Sequence, residues 1–473
     1  LVRQYARDQL QSHPASYRRA RSRQRRHHVE LLRACEVELD GSERQSAAMM
    51  QLEAALPNLL LAWRSAAEDG ALTDLWDACR PLQRFFAQRG GLDATAAEAF
   101  ATAHARLASD AASQRALVGR LLAAEAWFRY RAGRVALAQA AAVRALDLLR
   151  SDARDTVAMH STSDVERERI RTRTRAVVSA LNTLANVAQR RGDLAGAARW
   201  LNEALQLERE PGDEPQQTML MNNLALLKKA NGAFEEAETL LLEALTLNRE
   251  RANLRSAARN LVNLGSLLVI AGRPADAEAH LEDGLRIATE LGYQVLVPDL
   301  LANLGGAAFA RGELERAREH YLASLHHPAA SSDTTSIARC RWRLARVEAA
   351  RGDHGAAQRH LTGALPMAHA VDDAGLVASC LVARAELHLA ADEPVAAAEL
   401  VGAIDAIGAL EPSDPLLLDA LRDAVSAALP GGELRSALAR GAETPLGRVV
   451  AAAIRPLAGA AVSPDAARAE TRS

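Results

Sequence analysis

Residues 184–204 read LANVAQRRGDLAGAARWLNEA, and forty residues later 224–244 read LALLKKANGAFEEAETLLLEA. Leu184-Ala185, Gly192, Ala197, Leu201 and Ala204 recur as Leu224-Ala225, Gly232, Ala237, Leu241 and Ala244. The register continues through Leu264-Gly265, Gly272, Ala277, Leu281 and Gly284, through Leu304-Gly305, Gly312, Ala317 and Tyr321, and through Leu344-Ala345, Gly352, Ala357, Leu361 and Ala364. A sixth copy keeps Ala385 and Ala397, with Asp392 where the others have glycine. Self-similarity at a fixed period of this size marks a solenoid, in which one supersecondary unit stacks on its neighbours.

Within one copy, Leu184 to Gln189 carries apolar residues at helical spacing, Arg191-Gly192-Asp193 supplies a turn, and Ala197, Leu201 and Ala204 share one face of a second helix. Small residues at Ala185 and Ala197 let the two helices approach, and Gly192 can take the positive φ that ends the first. The pattern of Leu, a small residue, Gly, Ala, a bulky residue and Ala resembles the tetratricopeptide repeat. The resemblance implies an all-α fold, a right-handed α-solenoid of tetratricopeptide-like helix hairpins. Its period of forty residues exceeds the roughly 34 usual for that family, which predicts longer helices.

Composition fits this reading. Apolar residues make up 49% of 473 positions but aromatics only 3%, which suits closely packed helix pairs and argues against sandwiches and barrels. The formal charge of −2 gives no polyelectrolyte signal for nucleic acid over the whole chain. Lys228 and Lys229 are the only lysines, and Leu226-Leu227 precede them, so there is no phosphate-binding P-loop. There is likewise no His-Glu-x-x-His, Gly-x-Ser-x-Gly or Cys-x-x-Cys. His320 and His360 lie one period apart without a third ligand, so no metal site, cofactor or catalytic residue is expected. Cys340 and Cys380, also one period apart, are expected to be buried thiols in a reducing cytoplasm, as are Cys35 and Cys79. No apolar run reaches the ~20 residues of a membrane span.

The chain begins at Leu1 without a methionine, and is expected to be a piece of a longer protein. Its opening, LVRQYARDQL, resembles the closing helix of the winged-helix domain in STAND-type regulators, signal-transduction ATPases that include LuxR-type and AfsR-like bacterial activators. The Arg- and His-rich stretch Arg18 to His28 and the segment Gln51 to Leu59 resemble the junction and helical connector that follow in that family. The resemblance implies an upstream ATPase domain as a partner and no enzyme activity in these residues. The expected division is 1–12, a winged-helix remnant; 13–110, a helical connector; 111–410, the solenoid; 411–455, a helical cap; and 456–473, a disordered tail. Within the solenoid we expect a diverged repeat near 119–150, an insertion near 151–173 that is a disordered loop or extended helix ends, and regular repeats over about 178–410.

Two sets of residues are candidates for binding. Asn223, Asn263 and Asn303 each precede the Leu of their copy, on the first helix, where amides facing a concave surface can pair with the backbone of an extended peptide. Arg259 and Arg339, five residues before that Leu, and Lys229, five after it, should border the same groove and meet a carboxylate or phosphate. The alternative is that these asparagines tie first helices to neighbouring backbone. The second set is Arg18, Arg19, Arg21, Arg23, Arg25 and Arg26, which read either as a phosphate-contacting arm or as a solvated helix face at a domain junction. The expected function is a protein- or ligand-binding sensor and scaffold, with a protein or peptide on the concave face and self-association as further partner classes. The alternative is a nucleic-acid contact through the arginines.

Overall fold

A computed structural model describes residues 13–36, 38–40, 45–107, 112–151, 164–207, 214–332, 334–408 and 415–455. The expected winged-helix remnant at 1–12, the tail at 456–473 and the core of the insertion at 152–163 lie outside the described residues. Among those that are described, the structure holds 21 α-helices, and the chain divides into two compact units, residues 1–227 and 228–473.

The first unit contains α1 (Pro14–Glu36), α2 (Gln45–Glu68), α3 (Leu72–Arg89), α4 (Asp93–Ala105), α5 (Ala112–Arg131), α6 (Val135–Ser151), α7 (Asp164–Arg190), α8 (Leu194–Leu207) and most of α9 (Glu214–Ala230). Aromatic packing joins its helices α2 to α5. Trp63 meets Phe100 edge-on at 5.4 Å, Phe100 stacks on Phe128 at 5.8 Å, and Phe86 meets Phe128 at 6.0 Å, all buried. The Trp63 indole N–H donates to the Ala99 carbonyl at 2.9 Å, so the apolar cluster leaves this polar handle satisfied. The diverged repeat is the hairpin of α5 and α6, turned at Gly133 with φ of 75°. Residues 164–173, assigned to the insertion by sequence, are helical and open α7. Glu168 pairs with Arg175 at 3.2 Å, two turns further along the same helix.

The second unit continues from the end of α9 through α10 (Phe234–Glu250), α11 (Leu254–Ile270), α12 (Pro274–Glu290), α13 (Val297–Ala310), α14 (Leu314–His326), α15 (Thr334–Ala350), α16 (His354–Ala370), α17 (Ala374–Ala390) and α18 (Pro394–Ile407). Then come α19 (Pro415–Ala428), α20 (Gly431–Glu443) and α21 (Leu446–Ala453). Helices α10, α11 and α12 have 17 residues each, and three-residue turns separate them, which accounts for the long period. Each hairpin is an interlock. A β-carbon on Gly305 would lie 2.8 Å from the Tyr321 ring, and one on Gly265 would collide with Leu281. The small residue of the first helix is therefore the seat for the bulky residue of the second, and burial in that seat pushes the Tyr321 hydroxyl up to about 12.

The turns repeat one hydrogen-bond scheme. At the end of α9 the Gly232 N–H donates to the Lys229 carbonyl at 3.1 Å and the Ala233 N–H reaches back to Lys228 at 3.0 Å, with Gly232 at φ of 75°. Asp392, in the glycine position of the sixth copy, is held at φ of 60°. A second series of left-handed residues ends the second helices: Ala252 at φ of 53°, Gly292 at 69° and Asp372 at 57°. The Ala252 and Asn253 N–H groups make the equivalent bonds, to Arg249 and Asn248 at 3.0 and 2.8 Å.

The C-terminal helices close on glycine. A β-carbon on Gly402 of α18 would collide with the Leu438 carbonyl, and one on Gly441 of α20 with the Glu399 carbonyl, so the two backbones touch. The chain beyond α21 is clamped by Arg384 and Gln358, which donate to the Arg455 carbonyl at 2.8 and 3.0 Å. Burial pushes the Arg384 guanidinium down to about 10. Its Nε donates to Nε2 of His388 at 3.2 Å, while His388 Nδ1 meets Glu393 at 2.6 Å. That arrangement needs a neutral imidazole. Burial accordingly holds His388 below its ordinary value, with Glu393 opposing and Arg384 reinforcing the shift.

Four of the cysteine expectations can be placed together: Cys35, Cys79, Cys340 and Cys380 are all buried and free of disulfides. Burial pushes the Cys340 thiol up to about 11, as expected for a packed rather than a reactive sulfur.

Two outcomes test this description. Ala252→Gly should raise stability by about 0.5–1 kcal/mol, because relief of the left-handed alanine exceeds the added chain entropy; urea unfolding checks this, and a loss of stability would contradict it. Because the folded pKa of His388 is depressed, its contribution is complete above the ordinary value of 6.5 and is lost as pH falls below it. The wild-type urea midpoint should therefore drop more between about pH 7.5 and about pH 5.5 than that of His388→Gln. Parallel pH profiles would show that the imidazole is not held neutral.

Candidate functional site

The first helices of successive hairpins pack side by side, so equivalent positions on them form rows. In the first unit Asn223 of α9 donates from Nδ2 to Oδ1 of Asn182 on α7 at 2.8 Å. In the second unit Asn303 of α13 donates to the Val262 carbonyl of α11 at 3.3 Å, and Arg343 of α15 donates to Oδ1 of Asn303 at 3.4 Å. Asn223, Asn263, Asn303 and Arg343 are all half-buried, so each remains in reach of solvent while helping to hold its neighbour. Asn223 and Asn303 thus make the ties between first helices that the second reading expects, and both stay partly exposed. Asn303 is the clearest example, lying between a carbonyl of one first helix and the guanidinium of the next.

The flanking cations have unequal surroundings. Lys229 donates to the Ser266 hydroxyl at 3.3 Å, bridging α9 and α11. Arg339 pairs with Asp373 at 3.4 Å. Arg259 is exposed, yet its pKa is pushed down by desolvation first and by the neighbouring Arg255 second, with Asp299 opposing. Arg255 itself stacks over the Tyr293 ring at 5.3 Å.

The arginine-rich helix α1 separates into two faces. Arg21 donates to Ser65 at 2.8 Å and pairs with Glu68, and Arg25 pairs with Asp69 at 2.6 Å and Asp74 at 2.5 Å. These two tie α1 to α2 and α3. Arg18, Arg19, Arg23 and Arg26 are exposed. No group of three metal-ligating side chains occurs among the described residues, and none of the described helices is long and apolar enough to cross a membrane.

Sequence reasoning missed Asn182, one position out of register with Asn223, and the four arginines Arg80, Arg84, Arg120 and Arg175 that line one cavity of the first unit. Arg80 and Arg120 lie one period apart, which was the available signal. A larger cavity, about 510 Å³, opens between α2 and α4 against Trp63 and is mainly apolar.

A family model described as "Tetratricopeptide repeat" matches residues 176–250 and 216–290. No curated protein matches the chain. Solved structures that resemble it include a Rap protein complexed with Competence and Sporulation Factor, 13% identical, covering 75% of this chain and 99% of that one with a TM-score of 0.49. Aspartyl phosphate phosphatase F from Bacillus subtilis is 11% identical, over 69% of this chain and 76% of that one, with a TM-score of 0.42. A STAND protein with a tetratricopeptide repeat sensor from Pyrococcus horikoshii is 12% identical, over 70% of this chain and 54% of that one, with a TM-score of 0.45. The chain is thus an all-α protein built of tetratricopeptide-like hairpins, with the repeats themselves recognised across residues 176–290.

Proposed function

We propose that the chain is a non-enzymatic binding module, the cytoplasmic sensor and scaffold arm of a bacterial STAND-type ATPase of the LuxR- or AfsR-like regulators. It takes a protein or extended peptide on the first-helix face of its second unit. The observation that carries the reading is the state of Asn303: it is half-buried and holds a backbone carbonyl on one side and a cation at 3.4 Å on the other. Such an amide can exchange one intramolecular partner for the N–H or C=O of a peptide, and Asn263 repeats the position one hairpin earlier. Arg259, exposed on α11, supplies a cation for an acidic side chain or a carboxylate terminus of that peptide.

The ATPase partner is supported by the resemblance of the opening residues and of the arginine-rich junction to STAND regulators. Binding then regulates the parent protein by favouring one state of the ATPase, which requires different affinities for the two states. The exposed Arg18, Arg19, Arg23 and Arg26 support the alternative of a nucleic-acid contact.

Peptides selected from a random library on the full chain provide the test. Asn263→Ala and Asn303→Ala should each weaken the selected peptide at least tenfold, about 1.4 kcal/mol, whatever their effect on Tm. Unchanged affinity with a lowered Tm would reduce the row to helix ties, and ATP turnover by the pure chain would contradict a non-enzymatic role. Tight, steeply salt-dependent DNA binding lost on neutralising the four exposed arginines would favour the alternative.

A further inference from the structure

The first unit contains a cavity of about 380 Å³ whose described lining includes four arginines and no carboxylate. Arg80 and Arg84 come from α3, Arg120 from α5 and Arg175 from α7, so three inner helices each contribute an arginine to the lining. Like charges around a partly enclosed volume repel one another. The effect is visible at Arg175, which is pushed below its ordinary value by burial first and then by Arg80, with Arg84 adding to it.

Acidic residues are at the margins. Glu36 lies 3.4 Å from Arg80 and 3.9 Å from Arg84, and Glu168 lies 3.2 Å from Arg175. These pairs orient the arginines from outside the cavity. Arg120 is fixed differently: it donates to the Trp76 carbonyl at 2.9 Å and stacks over the Trp76 ring at 5.0 Å. Guanidiniums already held in place lose little freedom when an anion arrives, which is what a prepared site requires. The remaining wall combines Trp127 and alanines with the neutral hydrogen-bonding groups of Gln83, Ser179 and Asn182. The volume falls within the roughly 300–1,000 Å³ of small-molecule sites.

We propose that this cavity binds a small phosphate-bearing molecule, its phosphate among Arg80, Arg84, Arg120 and Arg175 and its organic part against Trp127. Guanidinium forks approaching from three helices surround a tetrahedral dianion more completely than a planar carboxylate, so phosphate is the favoured head group. Asn182 joins this site to the amide of Asn223. The inference concerns helices other than those assigned to the peptide and does not depend on that reading.

Calorimetric titration of the full chain with inorganic pyrophosphate, with AMP and with citrate at matched ionic strength tests the proposal, alongside Tm in anion-free buffer. Pyrophosphate and AMP should bind at least tenfold more tightly than citrate. Arg80→Gln, and separately Arg84→Gln, should weaken pyrophosphate at least tenfold, whereas Arg144→Gln, on the exposed face of α6, should leave it unchanged. In anion-free buffer the two cavity variants should be as stable as the wild type or more so, since each removes like-charge repulsion, and they should lose the rise in Tm that pyrophosphate gives. Absence of binding, equal binding of citrate, or full binding by both cavity variants would overturn the proposal. A lower Tm of both variants in anion-free buffer, with binding intact, would make the arginines structural partners of Glu36.

Discussion

The seating of one bulky side chain against one small residue underlies the hairpins of the second unit. Where Gly305 faces Tyr321, a β-carbon would press on the ring, so the two helices of that hairpin are set at a separation fixed by side-chain volume. That separation brings the next first helix alongside the last, and packs Leu264, Leu304 and Leu344 into the core. The polar residues one position earlier are then carried to the half-exposed edge of the same face. The binding row is in this sense a consequence of the packing row: shifting the register by one residue would bury the asparagines and expose the leucines.

Hairpin architecture was legible because the turn admits few residues. A left-handed residue follows each first helix, and glycine takes it at 192, 232, 272, 312 and 352, leaving a period that composition cannot hide. The second series of turns obeys the same geometry at Ala252, Gly292 and Asp372, yet no pattern shows because three residue types occupy it. The aromatic core joining α3, α4 and α5 was illegible for another reason. Phe86, Phe100 and Phe128 come from three helices separated by unequal loops, and only their packing places them together. At α7 polarity left two readings open, and residues 164–173 take the extended helix end rather than the disordered loop.

The candidate site was legible in its positions but not in its partners. Register alone gave Asn223, Asn263 and Asn303, whereas the roles of Asn182 and Arg343 depend on how far adjacent first helices slide past one another. The arginine-rich α1 shows the same limit, since sequence cannot tell that Arg21 and Arg25 face Glu68, Asp69 and Asp74 while Arg23 and Arg26 face solvent. The cavity arginines were obscured because the departure from the period between α5 and α7 breaks the register that links Arg80 and Arg120 to Arg175.

If volume complementarity sets the hairpins, it should appear as energetic coupling between the two residues of one seat. In a double-mutant cycle at Gly305 and Tyr321, Gly305→Ala alone should cost about 1–3 kcal/mol by overpacking. In a Tyr321→Leu background the same change recreates the Ala and Leu pair found at Ala185 and Leu201, Ala225 and Leu241, and Ala345 and Leu361, and should cost nothing or stabilise. Additive losses, with Gly305→Ala equally harmful in both backgrounds, would contradict the interlock as the constraint on which the fold and its binding face depend.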